Sequence, residues 1–482
     1  MKFHLITLGC QMNKSDSERI STVIENMGYT WTDKEEEADL LGVIACSVRQ
    51  KAIDKVYTKI HKWNKWKNEK SLLSFVTGCV LPDDREKFLK LFDLVFQISE
   101  LQQFPEMIRQ YGVVTPYSAG EKKDIALEEK ETVSSDFQTL IFDKHKTIAG
   151  QPILMKKPET RISEFWSIKP HYESKFEAFI PIQNGCDKFC TFCAVPYTRG
   201  REISRPSEEI LNELKQLVEK GYKSITLLGQ NVNSYGLDKK GKEISFAELL
   251  IKIGEIGNRT NGVFWVYFTS PHPRDMGDDV LKTISQYDCL AKQIHLPLQS
   301  GDDKVLIKMN RSHSINDYKR IISSINKYLP TATIFTDIIV GFNGESDEQF
   351  MNTYKAMDEI RFNMAYVARY SPRPGAASSR WEDDVSHAIK KERLHKLSSL
   401  LQQHSLEHNR RMVGNIYDVL VTGTDRKNGF LKGLTEGKII VRFASENQKL
   451  IGEFVQVEIS SAAGFAVEGK LIKVHNQTLA EA

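Results

Sequence analysis

The chain of 482 residues lacks any apolar run approaching the roughly 20 residues of a membrane span, so no membrane association is expected. Its opening residues, Met1-Lys2-Phe3-His4-Leu5, enter a strand pattern at once and lack the apolar core of a signal peptide, which points to a cytoplasmic location. A strong charge of one sign is also missing. Lys and Arg number 66 against 63 Asp and Glu, and the resulting +3 argues neither for nor against nucleic acid. Cysteine is sparse and odd in number: Cys10, Cys46, Cys79, Cys186, Cys190, Cys193 and Cys289. In a reducing compartment these read as metal ligands or free thiols rather than disulfides. What is present is ordinary core material, 40% hydrophobic and 27% charged, in a chain long enough for about three domains at roughly 150 residues each.

The stretch from Cys186 to Cys193 carries three cysteines spaced C-x3-C-x2-C, directly after the apolar run Ala178-Phe179-Ile180-Pro181-Ile182. A zinc site usually offers four ligands, and the local count here stops at three. Three thiolates suit an iron–sulfur cubane with one iron left open. The spacing resembles the signature of radical-SAM (S-adenosylmethionine) enzymes, in which the open iron chelates SAM. A zinc knuckle with a distant fourth ligand, or buried structural thiols, is the competing reading.

Residues 1–114 alternate strand and helix. Apolar runs at 3–8, 40–45 and 72–77 end in or just before Cys10, Cys46 and Cys79, and a further strand is expected at 94–98. Helices are expected at 15–27, with Ile20, Val23, Ile24 and Met27 on one face, at 51–66 and at 83–91. The pattern predicts an open, mostly parallel α/β sheet, with the three cysteines at strand C-termini, where such folds bind ligands. They can converge there on a second three-thiolate site, or they can simply be buried. The basic, Trp-bearing stretch His61–Lys67 reads as a helix face with Trp63 and Trp66 turned inward rather than as an RNA contact. Residues 115–173, with a charge run at 121–131 and scattered Pro and Gly, read as a partly irregular connector, with one short ordered piece at Phe137–Phe142.

Residues 174–406 hold six strand–helix units. Strands are expected at 178–183, 223–228, 263–268, 292–296, 333–340 and 364–369, which suggests a barrel or partial barrel with its site at the strand C-termini. Polar loops follow those ends. Candidate cofactor-binding residues in them are Gly229, Gln230, Asn231, Ser270, Gln299, Ser300 and Tyr370. Arg199, Arg201 and Arg205 either bind phosphate or carboxylate groups or serve as surface and capping residues. His295 and Cys289 read as structural, and the polar stretch Met309–His313 has no assignable chemistry. After a charged helix at 385–411, residues 407–474 carry strands at 416–420, 438–443, 454–459 and 469–474, a small β-barrel. Residues 475–482 form a tail.

Several strings carry a wider resemblance: Gly9-Cys10-Gln11-Met12-Asn13, Cys46-Ser47-Val48-Arg49-Gln50-Lys51-Ala52, Val195-Pro196-Tyr197-Thr198-Arg199-Gly200-Arg201, Gly229-Gln230-Asn231-Val232-Asn233-Ser234-Tyr235 and Leu296-Pro297-Leu298-Gln299-Ser300-Gly301. With them the chain resembles the radical-SAM methylthiotransferase family over nearly its whole length apart from 115–173, and the C-terminal barrel resembles a TRAM domain. One departure is Ile44-Ala45, where the family usually has Asn-Thr before the second N-terminal cysteine. The resemblance implies addition of a methylthio group to C2 of N6-isopentenyladenosine at position 37 of tRNA. It implies two [4Fe-4S] clusters, one on Cys186, Cys190 and Cys193 and one on Cys10, Cys46 and Cys79, and two SAM per turnover. It also implies a tRNA anticodon arm gripped by the TRAM-like barrel, a reductant such as flavodoxin or ferredoxin, iron–sulfur assembly proteins as partners, and a monomer. The alternatives are methylthiolation of threonylcarbamoyl-adenosine in tRNA or of an aspartate in a ribosomal protein. A non-catalytic metal-containing RNA-binding protein is a more remote one.

Overall fold

The computed structural model describes residues 1–47, 50–110, 142–143, 146–147, 158–260 and 262–474. The charge run at 121–131, residues 137–141 and the tail lie outside them.

The first unit is built on β1 (Lys2–Thr7), β2 (Thr30–Trp31), β3 (Leu40–Cys46), β4 (Leu73–Cys79) and β5 (Leu94–Val95), ordered β2-β1-β3-β4-β5 and parallel throughout. A parallel sheet has to be covered on both faces, and β3 is buried at every position. On one side α1 (Gln11–Asn26), α4 (Phe104–Gln110) and α5 (Pro158–Trp166) pack Ile20, Ile24, Phe104 and Trp166 against Phe3, Leu40 and Phe75. On the other, α2 (Gln50–Trp66) and α3 (Pro82–Phe88) bring Ile53, Ile60, Trp63 and Phe88 onto Leu41, Val43 and Val76. The helix expected from Ser15 begins at Gln11, so that Cys10 becomes its N-cap. α5 falls inside the expected connector, and its residues Ile162, Phe165 and Trp166 belong to the first unit's core. A two-residue hairpin, β6 (Phe142–Asp143) with β7 (Lys146–Thr147), is also present.

Trp63 is fully buried and donates to Glu35, as the inward reading expected. Trp66 is only half-buried, with the ammonium groups of Lys62 and Lys70 over its ring at 4.5 and 5.7 Å.

The second unit opens with β8 (Glu177–Pro181), β9 (Gln183–Asn184), α6 (Val195–Arg199) and β10 (Ile203–Ser204). It continues as α7 (Ser207–Glu219), β11 (Ser224–Leu228), α8 (Phe246–Asn258), β12 (Trp265–Phe268), α9 (Asp278–Gln286), β13 (Gln293–His295), α10 (Asp303–Lys308), α11 (Ile315–Tyr328), β14 (Thr333–Val340), α12 (Asp347–Ile360) and β15 (Met364–Arg369). Two parallel three-stranded sheets, β12-β11-β8 and β13-β14-β15, are joined through a bridge between Val266 and Leu290. The result is a six-stranded partial barrel with β8 and β15 at its edges, unpaired on their outer sides among the described residues. Strands start and stop because helices do: Ser245, Ser314 and Ser346 each cap a helix reciprocally with the residue three positions on. The outer strand faces pack on the helices through Ile180, Leu227, Val266, Ile338 and Val340. The free flank at β8 is met by α1, whose Met12 lies against Phe179 and Leu228.

After the long α13 (His387–Arg410), the chain ends in β16 (Ile416–Thr424), β17 (Phe430–Thr435), β18 (Ile440–Ala444), β19 (Phe454–Ala462) and β20 (Ala466–Val474), a closed barrel ordered β16-β17-β18-β20-β19. Four strands were expected here and five are present. β17 escaped notice because Lys432 and Gly433 break the apolar alternation on which a strand is read. This barrel docks under the central one. Trp265 meets Phe454 edge-on at 4.6 Å, and the β17–β18 turn inserts between the strand beginnings. There the Tyr267 hydroxyl donates to the Glu436 carbonyl (3.1 Å) and Thr333 Oγ1 to the Gly437 carbonyl (2.8 Å). Lys438 places its ammonium 4.1 Å from the Tyr267 ring centre. Among the described residues no helix is long and apolar enough to cross a membrane.

α1 is the wedge between the first two units, and Glu18 is enclosed within it, 1% exposed, with Oε2 lacking a partner. Burial pushes its carboxyl up from 4.5 to about 7. The folded chain therefore keeps this proton where the unfolded chain has lost it, and stability falls as pH rises from 4.5 toward 7. Glu18→Gln should stabilise the fold at pH 8 by on the order of 3 kcal/mol, at 1.36 kcal/mol per pKa unit, and so raise the thermal unfolding temperature there, with much less effect at pH 5. Melting curves at the two pH values check this.

Candidate active site

Each triad sits at the C-terminal edge of a parallel sheet. In the first unit, Cys46 and Cys79 are register partners at the ends of β3 and β4, and Cys10 follows the end of β1. Gly9 makes their approach possible. It has φ +109, and a Cβ there would stand 2.6 Å from that of Cys46. Cys46 and Cys79 are buried and Cys10 is exposed. Burial pushes the Cys79 thiol up to about 11, and its Cys10 and Cys46 neighbours add to that rise while Arg199 opposes it. Asn13 is fully buried and braces the site, donating from Nδ2 to the carbonyls of Leu8 (2.6 Å) and Ala45 (2.7 Å). Ile44 and Ala45 themselves are fully buried in β3. Val48 and Arg49, which follow Cys46, lie outside the described residues.

In the second unit, Cys186, Cys190 and Cys193 occupy the loop after β9. The loop is laced to its surroundings. Gln230 Oε1 accepts from the Gly185 amide (2.6 Å), Asn310 Nδ2 donates to the Phe189 carbonyl (3.0 Å), and the Thr191 amide donates to the Met309 carbonyl (3.0 Å). Lys188 pairs with Asp275 at 2.5 Å and Arg201 with Asp187 at 2.7 Å. Burial pushes the thiols of Cys186 and Cys193 up to about 11 and 12, with Cys190 adding to both. Arg311 brings Nη1 within 3.4 Å of Cys190 Sγ. The stretch Met309–His313, which had no role in the sequence, is thus what holds the cysteine loop.

All seven cysteines are free thiols. Among the described residues no three His, Cys, Asp or Glu side chains are grouped to hold one metal ion, so neither triad is a ready-made mononuclear zinc site. Three soft sulfur donors at a sheet edge, among which burial disfavours Cys79, Cys186 and Cys193 as lone anions, do fit a polynuclear iron–sulfur group, whose positive charge reverses that penalty.

The loop residues expected to bind a cofactor fall into two groups. Gln230, Ser270 and Gln299 stay at the accessible rim, the last two with φ of +58 and +72. Gly229, Asn231, Ser300 and Tyr370 lie behind it. Asn231 donates to Ser234 (2.8 Å) and Asp275 (3.1 Å), Ser300 is fully buried against the Thr353 hydroxyl, and the Tyr370 hydroxyl donates to Ser378 (2.8 Å). The Asn231 amide N–H groups and the Ser300 and Tyr370 hydroxyls are committed to the wall, a distinction that sequence position does not reveal.

The three arginines also separate. Arg205 is buried between Glu209 and Glu213, Arg201 serves Asp187, and Arg199 crosses to the first unit. Arg199 and Arg205 are buried and committed to carboxylates, while Arg201 stays exposed. Cys289 is buried in the core. His295 faces the barrel interior with Nε2 2.7 Å from Asp337, its ring 5.5 Å from that of Tyr366.

Residues 2–98 match the uncharacterized protein family UPF0004, residues 180–357 the radical SAM superfamily, and residues 410–472 the TRAM domain. The chain is 34% identical over 480 residues to a tRNA-2-methylthio-N(6)-dimethylallyladenosine synthase of Thermoanaerobacter pseudethanolicus, covering 98% of this chain and 93% of that protein. It is 37% identical over 484 residues to the same-named protein of Yersinia enterocolitica, covering 99% and 93%. The chain belongs to the family of tRNA-2-methylthio-N(6)-dimethylallyladenosine synthases. Solved radical-SAM structures share the fold at this family's distance from them. The methyltransferase TsrM of Kitasatospora setae has a TM-score of 0.53 at 12% identity over 78% of this chain and 75% of that one. The cobalamin-dependent enzyme OxsB has 0.50 at 12% over 82% and 56%.

In this member of the synthase family, Gly185 enters the cysteine loop at φ +80, where a Cβ would run into the Arg201 carbonyl oxygen. Gly185→Ala should therefore displace the loop that carries Cys186, Cys190 and Cys193 and lower the iron and acid-labile sulfide that the protein retains. Iron and acid-labile sulfide analysis after anaerobic reconstitution checks this.

Proposed function

We propose that the protein adds a methylthio group to C2 of N6-isopentenyladenosine at position 37 of tRNA, consuming two SAM per turnover. The observation that carries this reading is the meeting of two three-cysteine edges across one buried arginine, in a chain whose relatives bear the name of that activity. An aromatic C–H bond is too inert for acid–base attack, so bound cofactors have to supply the reactivity. Cys186, Cys190 and Cys193 would hold one [4Fe-4S] cluster, and Cys10, Cys46 and Cys79 a second, three thiolates leaving one iron open in each. The chemistry these groups supply when bound is reductive cleavage of SAM to a 5′-deoxyadenosyl radical at the first triad and the sulfur to be donated at the second.

The chain's own residues position the reactants. Gln230, Ser270 and Gln299 offer their rim groups to SAM, with Gly229, Asn231, Ser300 and Tyr370 shaping the wall behind. His295, Asp337 and Tyr366 give the concave face a hydrogen-bonding edge beside an aromatic ring, which suits a purine. The C-terminal barrel grips the anticodon arm. A flavodoxin or ferredoxin supplies electrons, iron–sulfur assembly proteins load the triads, and the enzyme works as a cytoplasmic monomer.

Cys190→Ala should abolish SAM cleavage, read as 5′-deoxyadenosine, whereas Cys46→Ala should retain cleavage and lose thiolation. Methylthiolated tRNA from Cys46→Ala would sink that division of labour. Mass spectrometry of tRNA nucleosides from a host lacking the activity should show the methylthio-isopentenyl nucleoside once this gene is supplied. A gain on threonylcarbamoyl-adenosine alone would move the substrate within the family.

A further inference from the structure

Arg199 is carried by the second unit, six residues after Cys193, yet its guanidinium lies inside the first. Its side chain is 3% exposed. Nε donates to Cys79 Sγ at 3.0 Å, and Nη2 donates to Asn13 Oδ1 at 2.8 Å and to Asp16 Oδ2 at 2.5 Å. Nη1 stands 3.4 Å from Asn184 Oδ1, on the strand that leads into the Cys186 loop. Asp16 is 1% exposed and Asn13 fully buried, and both lie on α1 just after Cys10. One planar cation is therefore shared by a ligand sulfur of one triad, the helix that starts at another ligand of that triad, and the approach to the other triad.

We propose that Arg199 is a positioning residue that, by donating to Cys79 Sγ, raises the reduction potential of the iron–sulfur group at Cys10, Cys46 and Cys79, with Asp16 as the counterweight that limits the rise. This rests on the reading of that triad as a cluster site. The physical basis is that hydrogen bonds and net charge at the ligand sulfurs are among the terms that set such potentials. A buried guanidinium donating to a sulfur takes up part of its negative charge and stabilises the reduced state, which carries one more electron. A carboxylate on the same guanidinium does the reverse. Lysine cannot reproduce the arrangement, since one ammonium on a flexible stem does not reach three acceptors along the two edges of a planar fork.

The test isolates this triad in a Cys186→Ala/Cys190→Ala/Cys193→Ala background of the full chain, reconstituted anaerobically, and follows a redox titration by electron paramagnetic resonance. With native Arg199 and Asp16 as the reference, Arg199→Gln should move the midpoint to a more negative potential and Asp16→Asn to a more positive one, with Arg199→Lys between Arg199→Gln and the reference. Opposite signs are the diagnostic, because an arginine that only bolts the two units together would leave the midpoint in place or let both variants drift the same way. Either of those results overturns the inference while leaving the cluster itself intact. If the reference protein binds no cluster at this triad, the functional reading fails first, and the role of Arg199 falls with it.

Discussion

Parallel strands collect their loops at one edge, and this molecule depends on two such edges being held face to face. The element that holds them is α1. Its apolar side, Ile20, Val23 and Ile24, covers its own sheet, while Asn13, Ser15, Asp16, Glu18 and Arg19, all nearly inaccessible, turn toward the central barrel and its approaches. Ser15 donates to the Phe179 carbonyl, Asp16 meets Arg199, and Arg19 lies 3.7 Å from Glu213. A polar interface of this kind gives little net stability for its desolvation. What it does give is direction: these pairs form in one relative placement of the two sheets, whereas an apolar seam would tolerate slippage.

The same enclosure explains the thiols. Burial holds Cys79, Cys186 and Cys193 well above the ordinary thiol range, so without a bound cation they stay protonated at neutral pH. Assembly of each site is thereby coupled to loss of protons. One sulfur of each triad meets an arginine, Cys79 through Arg199 and Cys190 through Arg311, and Arg199 lightens that cost at Cys79.

Much of this was legible before any coordinates. Apolar runs such as Thr333–Val340 locate the central strands to within a residue or two, since the strand period is a local property. The six cysteines were legible because their spacing, or their place at the ends of apolar runs, is local as well. Three things were not. α10 and β17 are short, and β17 is crossed by a glycine. Ser300 and Tyr370 sit in polar loops but point inward, a direction set by tertiary packing. Arg199 meets Asp16 and Cys79 across 183 and 120 residues of chain, a coupling with no local signature.

The turn at Glu436–Lys438 has a consequence of its own. By plugging the mouth where the central strands begin, it leaves open the opposite mouth, where the cysteine loop lies, and it fastens the C-terminal barrel to β12 and β14 of the central unit. An RNA resting on that barrel would meet the reactive edge at a set offset rather than on a swinging tether. The molecule would then work as a gauge: which nucleotide is presented would depend on its distance from the segment held on the barrel, before any of its own atoms are read.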